Sequence, residues 1–188
     1  DEETDDDLLG RILFAVRQPA TSGNVYHYIL WATSVSGVGA VKVLPLWNGN
    51  GTVKVIVVDA DKETPPEELL KEVRAKIAEN APIGATVTVV APSTVKIDIS
   101  LKVTSGKGNA DSLKSVIDSY FKTSVFNTDY TNIENLNQKT VVSLAQIGKI
   151  ILEKADETGV YDYSNLKLNQ GTDNITVSAD GMPCVGTV

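Results

Sequence analysis

Residues 37–59 read GVGAVKVLPLWNGNGTVKVIVVD. Two runs rich in β-branched residues, Val38 to Leu46 and Thr52 to Val58, flank Asn48-Gly49-Asn50-Gly51. Asparagine and glycine tolerate the positive φ angles of tight turns, so the stretch predicts a β-hairpin. A glycine-rich loop after a strand also raises a phosphate-binding reading. That chemistry needs the loop to open a helix, whose N-terminal amides and dipole meet the anion, and a lysine followed by serine or threonine. Here the loop opens a second strand and no such pair follows, so the glycines serve a turn.

Upstream, Leu8, Leu9, Ile12, Leu13 and Val16 recur at helical spacing behind a start at Thr4-Asp5-Asp6-Asp7, where aspartates complement the helix dipole. This apolar stripe requires a partner surface and is the candidate protein interface. A second helix through Val25, Tyr28, Ile29 and Ala32, capped by Thr21 or Ser22, leads into the hairpin. Downstream, Thr64-Pro65-Pro66-Glu67 reads as a capping box for a helix to Asn80 that buries Leu69, Leu70, Val73 and Ile77. Ala81 to Ala85 then turns into a strand, Thr86 to Val90. The unit is β-β-α-β.

After Pro92, Val95, Ile97, Ile99, Leu101 and Val103 alternate with polar residues, the pattern of one strand with a wet face. Gly106-Lys107-Gly108 makes a turn, and Asn109 can cap a helix with Leu113, Val116, Ile117, Tyr120 and Phe121 on one side. A polar connector, 127–139, is anchored by Tyr130, Ile133 and Leu136. The next helix carries Leu144, Ile147, Ile151, Leu152 and Ala155, with Ser143 and Gln146 as a capping pair and Gly159 as its end. Extended runs Val160 to Leu168 and Asn174 to Ser178 follow, and MPCVGTV closes the chain as an edge strand or tail. The expected class is α+β. N-terminal helices (1–36) precede two small sandwich lobes, β-β-α-β (37–92) and β-α-α-β-β (93–188).

The 188 residues are 42% hydrophobic and carry a formal net charge of -7. Six of the first seven residues are acidic; without them 18 of the 24 acids face 17 bases, so the body is near neutral. It lacks the basic surface that phosphate backbones select, which argues against nucleic acid. A single cysteine, Cys184, excludes an internal disulfide framework and a multi-cysteine zinc site. No apolar run reaches the roughly 20 residues that cross a bilayer.

Catalytic constellations are sparse. His27 is the only histidine, it lies in a helical run, and no spacing pairs it with Cys184. Asp59 and Asp61, at a strand end, are the best-placed carboxylate pair for a hydrolase or cation-dependent enzyme, although aspartates there commonly serve turns. Trp31 and Trp47 bracket the first strand and are expected in the core more than at a contact. A sugar-binding module would expose aromatics along a groove, with Tyr130, Tyr161 and Tyr163 as the residues concerned.

The runs GNVYHYILWATSVSGVGAVKVLPLWNGNGTVKVIVVD, PIGATVTVVAPSTVKIDISLKV and GMPCVGTV, in this order, resemble the baseplate J-like proteins of contractile-tailed phages and prophages. The acidic opening DEETDDDLLGRIL is similar to the segment that precedes them in that family. The resemblance implies the C-terminal portion of a baseplate wedge protein: a structural, non-enzymatic component of the virion tail baseplate, assembled in the bacterial host cytoplasm. Its implied partners are other baseplate proteins and copies of itself, with no cofactor, metal, small-molecule substrate, nucleic acid or membrane. No functional positions transfer with it.

Overall fold

The computed structural model describes residues 9, 12, 16, 23–125 and 139–188. They fall into two compact units, the first ending at Pro92 and the second comprising Ser93–Val125 and Lys139–Val188. The protein is α+β, built of short helices and several small sheets.

In the first unit, α1 (Val25–Thr33) precedes the hairpin of β1 (Val38–Pro45) and β2 (Thr52–Asp59). Helix α2 (Glu67–Asn80) and β3 (Thr86–Val90) follow. The sheet order is β1-β2-β3. β1 and β2 are antiparallel, pairing Pro45 with Val53 and Val41 with Val57, with a register shift between Val38 and Ala40. β3 runs parallel to β2, Thr52 opposite Thr86. A parallel neighbour requires a crossover, and α2 provides it. The alternation of strand side chains sends Val41, Val43, Val55 and Val57 into one core with Tyr28, Ile29 and Ala32 of α1 and Leu70, Val73 and Ile77 of α2. Ala40, Lys42, Leu44, Ile56 and Val58, the alternate positions, are buried as well, which explains why these strands read as continuous apolar runs.

Two caps differ from expectation. Asn24, and neither Thr21 nor Ser22, caps α1: its Oδ1 accepts the His27 N–H at 3.0 Å. The capping box at Thr64 does not form. Pro66 occupies the N-cap position with no side-chain bond, and α2 starts at Glu67. The helix thus begins two residues too late for Glu67 to reach back, and its carboxylate pairs with Arg74. The same guanidinium donates to the Val89 carbonyl of β3 at 3.2 and 3.1 Å, tying helix to strand.

The second unit contains β4 (Ser93–Ile97), β5 (Ile99–Gly106), α3 (Ala110–Val125), β6 (Thr140–Val142), α4 (Leu144–Glu153), α5 (Ala155–Thr158), β7 (Val160–Leu168), β8 (Ile175–Val177) and β9 (Gly181–Val185). Its strands pair in twos: β4 with β9 in parallel, and β5 with β7 and β6 with β8 antiparallel. The β-α-α-β-β expectation misses the short β6 and runs α4 and α5 together as one helix, whereas β9 forms where the sequence placed an edge strand or tail. The expectation also joins β4 and β5 into one strand. They separate at Asp98, whose N–H donates to Asn169 Oδ1 and whose carbonyl accepts the Asn169 N–H, both at 2.8 Å. The predicted alternation is unaffected, because Ile97 and Ile99 remain buried on either side of exposed Asp98.

The caps of this unit follow the sequence. Asn109 Oδ1 accepts the N–H groups of Asp111 and Ser112. Ser143 Oγ accepts the Gln146 N–H at 3.4 Å. Gly159, at φ 69°, ends α5. Leu113, Ile117 and Phe121 of α3 meet Ile147 and Ile151 of α4 and the strand residues Ile97, Ile99, Val160 and Leu168 in one core. Leu152, expected on the apolar side of α4, is exposed. The connector with Tyr130, Ile133 and Leu136 lies outside the described residues.

Candidate functional site, an apolar sheet end

The hairpin turn and the loop before β3 emerge at the same end of the first sheet, because Pro45, Val53, Thr52 and Thr86 are register neighbours there. The turn is internally braced. Leu46 N–H donates to the Thr52 carbonyl at 2.7 Å and Gly49 N–H to the Leu46 carbonyl at 3.2 Å. Thr52 Oγ1 accepts the Asn48 N–H and donates to the Gly49 carbonyl. Thr86 N–H donates to the Gly51 carbonyl at 2.8 Å, joining the two loops. Gly49 and Gly51 have φ of 99° and 76°, which only glycine adopts freely.

This scaffold presents large apolar side chains to solvent. Leu46 is 63% exposed, Trp47 42% and Ile83 fully so. Leu46 itself adopts φ 57°, an uncommon conformation for a branched residue. Lys54 Nζ sits 4.0 Å from the centroid of the Trp47 ring, a cation–π contact. The segments 43–53 and 81–95 contain no charged residue, so the charge shown on the patch is the Lys54 ammonium over Trp47. Trp47 therefore departs from its expected place in the core: a residue inside a hairpin turn has no sheet face to enter. Trp31 conforms, packing against the first core. Leu46 read as the last residue of the first strand, which in fact ends at Pro45, and Ile83 as part of a turn; neither carried a signal of exposure.

The apolar stripe upstream is described at three positions. Leu9, Ile12 and Val16 are helical and exposed, at 53%, 51% and 75%. Their spacing of three and four places them on one helix face. Leu8 and Leu13 lie outside the described residues.

The polar candidates serve local structure. Asp59 Oδ1 accepts the N–H groups of Asp61 and Glu63 at 3.0 and 2.8 Å, closing the turn after β2. His27 Nδ1 accepts the Gly23 N–H at 3.0 Å, and its ring stacks on Trp31 with centroids 4.7 Å apart. Cys184 is half-buried on β9, opposite Lys96. Tyr161 is exposed and donates to Asp156, which raises its pKa by hydrogen bonding and charge. Tyr163 is partly buried against the second core, and Tyr130 lies outside the described residues. Among the described residues, no group of three or more His, Cys, Asp and Glu side chains is placed to hold a metal ion, and no helix is long and apolar enough to cross a membrane.

Comparison with known proteins gives these features a context. Residues 20–91 match the Baseplate J-like central domain. The phage-like element PBSX protein XkdT of Bacillus subtilis (strain 168) is 34% identical across the whole of this chain, which spans 53% of that protein. Baseplate protein gp47 of Escherichia phage Mu is 30% identical over 68% of this chain and 38% of its own length. A chain in the 6-fold symmetrised cryo-EM structure of the anti-feeding prophage baseplate superposes with a TM-score of 0.62, covering 97% of this chain and 42% of that one. At 13% identity it shows a shared fold. The matched segment holds α1, the hairpin, α2 and β3, the elements that build the apolar sheet end, so the similarity to the Baseplate J-like central domain falls on the first unit.

Proposed function

We propose that this chain is a structural component of a phage or prophage contractile-tail baseplate, working through protein–protein contacts without catalysis. The match of residues 20–91 to the Baseplate J-like central domain supports this reading, as do the likeness to the Mu baseplate protein and to a protein of the phage-like element PBSX. The observation that carries it to particular residues is the exposed apolar sheet end of Leu46, Trp47 and Ile83. Exposed aromatic and aliphatic side chains on a braced scaffold are the usual anchors of interfaces. The helix face of Leu9, Ile12 and Val16, with Leu8 and Leu13, is a second proposed surface. The partners are other baseplate proteins and copies of this chain, and the two lobes, divided in the sequence after Pro92, act as separate domains. In this reading the protein resides in the virion tail baseplate after assembly in the host cytoplasm, and binds neither nucleic acid nor membrane.

Mass measurement in solution tests the proposal. The chain is mixed with and without the other baseplate proteins of its tail, alongside a variant carrying Leu46→Ser, Trp47→Ser and Ile83→Ser. A heteromeric complex formed by the native chain and lost by the variant, with the circular dichroism spectrum unchanged, is the expected result. An equally strong complex with the variant overturns the assignment of the sheet end. Failure of the native chain to join any complex overturns the structural role.

A further inference from the structure

We draw no further inference here: the strongest candidate, the shallow groove of the second unit between α3 and α4 lined by Val116, Tyr120 and Ile150, is an unpartnered surface, and nothing in the structure shows what covers it.

Discussion

Asp98 and Thr187 clasp the end of the chain to the break between β4 and β5: Asp98 Oδ1 accepts the Thr187 N–H at 2.8 Å and the Thr187 hydroxyl at 2.9 Å. These bonds favour the carboxylate and lower its pKa, the backbone bond most. A depressed folded pKa adds stability that is present above the unfolded value, about 3.9, and is lost as pH falls through the folded value. Asp98→Ala is expected to melt below the native chain at neutral pH, with the gap closing under strongly acidic conditions. Thermal unfolding across this range checks it, and a gap independent of pH counts against the clasp.

Tyr163 lies against Gly148 of α4 so closely that a Cβ on Gly148 would overlap the phenol oxygen. Gly148→Ala is expected to destabilise the chain by about 1–3 kcal/mol through overpacking. Tyr163→Phe in the same background removes the obstructing oxygen and recovers part of the loss. Urea unfolding of the two single variants and the double variant measures the coupling, and strict additivity would refute the contact.

The two caps of the first unit are expected to behave oppositely. Asn24→Ala removes the acceptor for His27 N–H and costs about 1 kcal/mol. Thr64→Ala, at the sequence's apparent capping box, changes stability by less than about 0.5 kcal/mol because no cap forms there. Chemical denaturation of both variants separates an observed cap from one inferred from a motif.

Phe121 is fully buried at the centre of the second core. Phe121→Ala is expected to cost about 3–5 kcal/mol from lost burial and the cavity left behind. A loss below 1 kcal/mol in equilibrium unfolding would show that the site collapses or that Phe121 is not central.

Much of the architecture was legible in the residues. The hairpin, α2, α3, α4 and their buried faces follow from periodicity and turn chemistry, which are local and act within a few residues. The caps at Asn109 and Ser143 followed for the same reason, since a side-chain oxygen bonds an amide two or three positions on. Thr64 shows where local reading ends: a capping motif works only if the helix starts beside it, and Pro66 sets that start two residues later. β6, the partner of β9 and the break at Asp98 were less legible because the pairings concerned, with β8, β4 and Asn169, are remote in sequence.

The apolar sheet end depended most on tertiary structure. Composition and spacing by themselves determined an α+β chain with a central hairpin, and the order of its motifs carried the family resemblance. The general preference of tryptophan for the core misplaced Trp47, which lies in the hairpin turn beyond the end of β1 and is exposed. The parallel pairing of Thr52 with Thr86 brings the loop of Ile83 and the turn of Leu46 and Trp47 to one end of the sheet. Strand register, a long-range property, brought three apolar residues scattered in the sequence to one end of the sheet.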